Sequence, residues 1–346
     1  MKIKKSIGAI LVKQKNDLVI DYFNLPKKLH RGQVLVRIKL AGVCGSQIGE
    51  IKGVKGKDPF LPHLLGHEGV GIVVEKHTSV KKINVGDKVL LHWMPSKGIN
   101  AENPKYTWRN KTLNSGKITT FSEYSIISEN RLTKIGKKIN DYNAVLLGCT
   151  ASTAIGSVKK IAKVRKNSCV VVAGCGLIGQ FIIKLLSQEK IKKIIAIDNN
   201  VKKIRSAMKK GAHDFFLIKK GSYKKINSLK NTVDYFFECS GNIDILNTGF
   251  KILKSNGTEI LIGVTKKGKF AKFNPLEINL GKKIKGSKGG KFNPDLDILK
   301  FNKILQNNKI SYKSFIQGTY KLNKINLVIK NMISGKISGK PIIKFS

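Results

Sequence analysis

Two regimes of apolar patterning divide the chain. Over residues 1–150, short β-branched or alternating runs recur at 34–38 (VLVRI), 71–75 (GIVVE) and 88–91 (KVLL), set apart by Gly, Pro and Asn clusters. That spacing predicts a mainly β region. Gly86-Asp87 marks a turn ahead of the third run. Between His92 and Thr120 the pattern dissolves around Pro95, Gly98, Pro104 and Gly116, which predicts a long polar loop. From Asn143 the period changes. Residues 143–163 read as a helix, and apolar strands then alternate with helical stretches to about residue 285, the rhythm of βαβ units on a parallel sheet. Strands are expected at 233–238 and 259–264. Beyond residue 286 the pattern gives a helix over 296–306, a strand over 314–320, a helix from 324 and a last strand over 341–345. The fold class expected is α/β, a β-rich region followed by a doubly wound parallel sheet.

The most informative stretch is 170–198, VVVAGCGLIGQFIIKLLSQEKIKKIIAID. The run 170–173 is too short for a helix and rich in β-branched residues, so it reads as a buried strand. Gly174, Gly176 and Gly179 give the spacing G-x-G-x-x-G. A helix to about Gln188 and a second strand ending at Asp198 follow. One glycine serves the tight turn, one the close approach of a pyrophosphate, one the packing of helix on strand. The free N–H groups and positive end of the helix suit phosphates. Asp198, about 20 residues on, stands where a carboxylate accepts from adenosine ribose hydroxyls. Together these features predict a dinucleotide-binding unit.

Composition changes this picture little. A chain of 346 residues with 41% hydrophobic residues fits two globular domains. No run of 18 or more apolar residues suggests a membrane span, and the basic N-terminus, interrupted by Lys13, lacks a cleavage site, so a cytoplasmic protein is expected. The formal net charge is +45. Such a charge raises the prospect of a nucleic-acid partner. Only six of the 66 basic residues are Arg, however, and the lysines are spread along the whole chain amid abundant Asn and Ile. No nucleic-acid partner is expected, and the charge reads as an aid to solubility and to attracting anionic ligands. Five widely spaced cysteines argue against a disulfide framework.

Three residues of metal-ligand type precede the nucleotide unit: Cys44 in GVCGS, His67 in GHE, and Cys149 in LGCT. Cys, His and Cys suit zinc and leave one position open for chemistry. Spacing alone does not join them. What joins them is that the sequence resembles the zinc-dependent medium-chain alcohol dehydrogenases, in a class III-like branch, over essentially its whole length. The resemblance rests on G-V-C at 42–44, G-H-E-x-x-G at 66–71, V-G-D-K-V at 85–89, the Cys149 segment, G-C-G-L-I-G at 174–179 and G-K-P-I-I at 339–343.

The resemblance implies a GroES-like catalytic domain over 1–150, a Rossmann NAD-binding domain over 151–285, and a return to the catalytic domain over 286–346. It implies a catalytic zinc on Cys44, His67 and Cys149, with Glu68 beside it. A zinc with one open position lowers the pKa of an alcohol, which then releases hydride to a nicotinamide. Ser46 matches the hydroxyl that bonds the substrate oxygen and begins the proton path; Trp93 matches a pocket-lining aromatic. Thr153, Leu177 and Ile178 fall on the nicotinamide side of the coenzyme site, and Gly263-Val264 ends a strand near the carboxamide. Asp198 favours NAD over NADP, Lys203 reaches the ribose hydroxyls, and Lys340 matches a basic residue on the pyrophosphate. The expected activity is oxidation of a primary or secondary alcohol, or reduction of its carbonyl. A polyol or a sugar for surface polysaccharide, S-(hydroxymethyl)glutathione, and a non-catalytic NAD-binding regulator are the alternatives. A homodimer or homotetramer is expected.

The sequence departs from the pattern at several places. No Cys lies between 44 and 149, so no structural zinc is expected. Gln47 stands where many relatives carry an Asp that bonds a zinc ligand, and contributes no charge there. Gly45 replaces a His common among alcohol-oxidising relatives, and no His follows Ser46 within a few residues, so the proton path must end differently.

Overall fold

Alternation of buried positions builds the first unit. Strand Gln33–Gly42 is buried on both faces over most of its length and carries the centre of a seven-stranded sheet. Its order is Leu132–Lys134, Lys88–Leu91, Gly69–Lys76, Gln33–Gly42, Lys340–Lys344, Ile316–Tyr320, with Tyr124–Ser128 also pairing Gln33–Gly42. A five-stranded sheet holds His63–Leu64, Lys5–Leu11, Val19–Asn24, Tyr106–Trp108 and Lys111–Leu113. The chain's end closes this unit: Lys340–Lys344 runs antiparallel to Gln33–Gly42, pairing Ile343 with Ala41. One core gathers Val36, Ile38, Val73, Leu91, Phe121, Val328 and Ile343.

This computed structural model describes residues 1–136, 139–218 and 224–345. The chain divides into two units: Met1–Cys149 with Asn293–Asn302 and Ser311–Ser346, and Thr150–Phe292 with Lys303–Ile310.

The second unit is a six-stranded sheet, parallel throughout, in the order Asp214–Leu217, Lys193–Asp198, Cys169–Ala173, Val233–Glu238, Leu253–Leu261, Lys283–Gly286. In chain order that is 3-2-1-4-5-6, the doubly wound arrangement whose ligands bind at the carboxyl ends of the strands. The central strand is apolar on both faces, as a strand covered by helices must be. Asn200 and Asn242 cap the helices Val201–Lys209 and Ile243–Ile252, each accepting from two backbone N–H groups.

Three expectations change. The 92–120 stretch contains a hairpin, Tyr106–Trp108 with Lys111–Leu113, turned through Arg109 and Asn110 at positive φ. The helix expected over 143–163 is three pieces, Asp141–Gly148, Thr150–Gly156 and a π-helical turn Ser157–Ala162. It breaks at Cys149, whose φ of −150° and ψ of −69° leave the helical region. The strand expected over 259–264 runs instead from Leu253 to Leu261. No described helix is long and apolar enough to cross a membrane.

Candidate metal and nucleotide sites

Each candidate metal ligand lies where regular structure gives way. Cys44 follows strand Gln33–Gly42 and caps the short helix Gly45–Ile51. His67 and Glu68 sit in the turn before Gly69–Lys76, behind Gly66 at φ 95°, where a Cβ would lie 2.3 Å from Thr120 Oγ1. Only glycine takes that turn without strain. Cys149 occupies the break between two helices. The result is convergence: ligand atoms of Cys44, His67, Glu68 and Cys149 all lie within 4.8 Å of one another.

The electrostatics of this cluster suit a bound cation. His67 Nε2 and Glu68 Oε2 are buried, and neither has a protein hydrogen-bond partner of normal geometry among the described residues. Buried polar atoms are rarely left so, and a ligand is one explanation. The neighbouring Cys149 thiol holds Cys44 well below the usual thiol range against the cost of burial, with Lys340 and His67 assisting. The same pairing pushes Cys149 well up. Thiolate is the form that binds metal, and the pairing favours it at Cys44. Burial raises Glu68 despite Lys340. Two thiols and an imidazole nitrogen fit a tetrahedral zinc with one position left over.

Lys340, expected on a pyrophosphate, is fully buried here, with Nζ on Glu68 Oε1 in a pair whose side chains are both 0% exposed. Gln47, 3% exposed, lies under His67: its Nε2 meets His67 Nδ1, and its Oε1 accepts from Cys44 N–H at 3.3 Å. Ser46 is exposed in the first turn of its helix. Trp93 is half-buried, with its indole nitrogen buried and without a protein partner among the described residues. Its neighbour His92 is a core histidine, with Nδ1 donating to Met94 O at 2.7 Å and Nε2 paired with Thr133 Oγ1 at 3.0 Å, and burial lowers it to about 3.

In the second unit the three motif glycines divide the expected labour. Gly174 adopts φ 89°, and a Cβ there would meet Ser240 N at 2.7 Å; one at Gly179 would meet Gly174 O at 2.2 Å. At Gly176 a Cβ would meet nothing within 4 Å, so its front is open to a ligand. Helix Leu177–Gln188 starts there, with Leu177 and Ile178 half-buried. Asp198 ends its strand 8% exposed, Oδ2 accepting from Cys175 N at 2.7 Å and Oδ1 from Asn200 N at 2.9 Å. Each carboxylate oxygen keeps capacity for a second donor. Lys203 lies one turn into the next helix, and Thr153 is buried in Thr150–Gly156. Gly263 and Val264 fall beyond their strand, Gly263 against Gly241 N and Val264 62% exposed. A carboxylate missed in the sequence organises this end of the sheet. Glu238, 0% exposed, accepts from Ser240 N at 2.7 Å and Gly241 N at 2.9 Å.

A cavity of about 470 Å³ in the first unit is lined by Gln47, His67, Glu50, Asp58, Phe60 and His63 among others. His63 bonds Asp58 Oδ2 at 2.8 Å through Nε2 and Leu64 O at 2.9 Å through Nδ1.

A β-rich unit carrying a Cys₂His cluster, with a doubly wound unit whose glycine turn is open in front, defines a zinc-type oxidoreductase scaffold. Comparison with known proteins agrees. Residues 30–137 match the alcohol dehydrogenase GroES-like domain, and 178–303 the zinc-binding dehydrogenase domain. The S-(hydroxymethyl)glutathione dehydrogenase of Photobacterium damsela subsp. piscicida is 30% identical over 345 residues, covering 90% of this chain and 91% of that protein. In fold, the chain is similar to an alcohol dehydrogenase zinc-binding domain protein from Burkholderia ambifaria (TM-score 0.87, 23% identity, 99% of each chain). It is also similar to benzyl alcohol dehydrogenase from Acinetobacter calcoaceticus (TM-score 0.86, 24% identity, 99% of this chain and 100% of that one). The chain belongs to the zinc-type medium-chain alcohol dehydrogenase family and is an oxidoreductase of alcohols and their carbonyls.

Proposed function

We propose that the protein depends on zinc and NAD, transferring hydride between a primary or secondary hydroxyl and the nicotinamide. The observation that carries this reading is the convergence of the buried His67 Nε2, without a hydrogen-bond partner of normal geometry among the described residues, with two thiols, of which Cys44 is held well below the usual thiol range. Cys44, His67 and Cys149 would hold the ion, which when bound supplies a Lewis acid that acidifies a hydroxyl. Ser46, exposed beside Cys44, takes the hydroxyl proton toward solvent. Gly176 admits the pyrophosphate, Asp198 accepts from the ribose hydroxyls and repels a 2′-phosphate, Lys203 assists at the ribose, and Thr153, Leu177 and Ile178 support the nicotinamide. Gly263 and Val264 present backbone to the carboxamide. An alcohol then yields its carbonyl, NADH and one proton.

A polyol or sugar hydroxyl is the second reading. It is favoured by the cavity at Gln47 and His67, whose lining includes Glu50, Asp58, His63 and Asn114, groups that suit several hydroxyls. We further propose a cytoplasmic homodimer or homotetramer without a structural zinc.

The test is NADH formation by the purified protein with and without prior chelation, across simple alcohols, polyols and S-(hydroxymethyl)glutathione. Chelation-sensitive turnover with NAD is expected, strongest with a polyol if the cavity sets the choice. Turnover untouched by chelation and by loss of bound zinc would overturn the mechanism. Cys149→Ala should lower bound zinc from about one per chain to near none and turnover by at least about 10³-fold, a loss of about 4 kcal/mol.

A further inference from the structure

Residues 92–105 carry no helix or strand, yet one buried carboxylate fastens their backbone. Glu129 is 2% exposed in the 3₁₀ turn Glu129–Arg131. Its Oε2 accepts from Ile99 N–H at 2.7 Å, and its Oε1 accepts from Lys81 N–H and Lys82 N–H at 2.9 Å each. Gly98 passes so close, at φ 106°, that a Cβ there would meet Glu129 Cγ at 2.8 Å. Hydrogen bonds to a carboxylate are charge-assisted and stronger than those to a neutral oxygen. The residues on either side of Glu129 extend the hold. Ser128 Oγ accepts from Ala101 N–H at 2.9 Å, and Asn130 N–H donates to Ile99 O at 3.2 Å. Gln33 Nε2 donates to Glu102 O at 3.2 Å.

The next three residues, Asn103, Pro104 and Lys105, line the cavity of about 470 Å³ that also reaches Gln47 and His67. Glu129 itself is not part of that lining. We infer that Glu129 is a positioning residue for this cavity: it fixes the backbone of 97–102 and so sets where Asn103, Pro104 and Lys105 stand against a bound polyol. A wall fixed in advance spares the ligand the cost of ordering it. This inference rests on the reading of the cavity as the place where a polyol binds.

Glu129→Gln keeps the shape of the side chain but leaves one accepting oxygen. Whichever way the amide turns, its NH₂ faces backbone donors, so the bond to Ile99 or the pair to Lys81 and Lys82 is lost. Hydrogen exchange of the folded, full chain reads the hold directly. In Glu129→Gln the amides of 97–102 should exchange at least about tenfold faster, while those of strand Lys5–Leu11 keep their protection. Kinetics read the consequence, with whichever of glycerol, xylitol and sorbitol the wild type oxidises fastest as the probe. Its KM should rise about fivefold or more, while kcat and KM for NAD hold within about twofold. Gly98→Ala, which crowds the same carboxylate, should produce both effects from the other side of the contact. Unchanged protection over 97–102 in a folded Glu129→Gln protein overturns the inference. So does faster exchange with an unchanged KM for the polyol, or a loss shared equally by kcat and KM for NAD, the mark of a merely structural role. A wild type that oxidises none of the three polyols refutes instead the polyol reading of the cavity. If Glu129→Gln does not fold, Gly98→Ala decides by the same two readouts.

Discussion

Two carboxylates in the second unit illustrate how burial separates residues of one type. Asp198 is fixed by two backbone N–H donors and retains accepting capacity toward a ribose. Asp198→Ala should lower the NAD-to-NADP ratio of kcat/KM by about tenfold or more, each tenfold being about 1.4 kcal/mol. An unchanged ratio, with thermal stability intact, would remove Asp198 from coenzyme choice. Glu259 is of a different kind. It is 0% exposed in strand Leu253–Leu261, and neither oxygen has a protein partner among the described residues. Burial, with Glu238 nearby, raises its carboxyl from 4.5 to about 9. In that window the native state keeps a proton that the unfolded chain has lost, so stability falls as pH rises from about 4.5 to about 9. Glu259→Gln should flatten the fall in thermal midpoint between about pH 6 and pH 9. A variant whose midpoint tracks the wild type across that range would show that Glu259 ionises outside it. The burial of Glu259 was not legible, because the polar run ahead of it in LKSNGTEIL gives no register that marks it as core-facing. Cys44, His67 and Cys149 were legible only together, through their motifs, because 105 positions separate the first from the last.

Among elements, local chemistry decided what could be read. The strand–glycine–helix unit at 169–188 was legible because the strand, the glycine spacing and the helix all lie within one short stretch of sequence. The hairpin at 106–113 was not. Its strands are three residues each, and its turn uses Arg109 and Asn110 in place of a glycine. Alternating Tyr106 and Trp108, both buried, and Asn110 were the available signal. The break at Cys149 was also hidden, since its local signal in LLGCTAST, Gly148, costs a helix only about 1 kcal/mol and is readily overridden by tertiary structure. Paired glycine variants separate packing from ligand contact. In helix Thr150–Gly156, a Cβ at Gly156 would meet Gly290 O at 2.2 Å, backbone that has no side chain to move aside. Gly156→Ala should cost about 1–3 kcal/mol of stability, read as a lowered thermal or denaturant midpoint. Gly176→Ala meets nothing within 4 Å and should leave that midpoint unchanged while weakening coenzyme binding. A destabilised Gly176→Ala with normal coenzyme affinity would contradict the open front assigned to Gly176.

At the scale of the molecule, 66 basic against 21 acidic residues give the net charge of +45. Described lysines do form ion pairs, such as Lys88 with Asp141 at 2.8 Å and Lys254 with Asp234 at 3.0 Å. The bases nevertheless outnumber the acids by 45. Such a surplus acts in two opposite senses. It repels itself and destabilises the compact state, and it draws an anionic coenzyme toward the protein. Salt screens both interactions, over a Debye length that shortens from about 30 Å at 0.01 M to about 8 Å at 0.15 M. Raising ionic strength across that range should therefore raise the thermal midpoint while also raising KM for NAD. Neither trend alone is diagnostic, since salt strengthens many folds and weakens many charged complexes. Their opposition in one protein follows from a single cause. A chloride series and a matched series of an uncharged osmolyte separate screening from general stabilisation. If KM for NAD stays flat while the midpoint rises, the surplus charge acts on the fold and lies too far from the coenzyme to steer it.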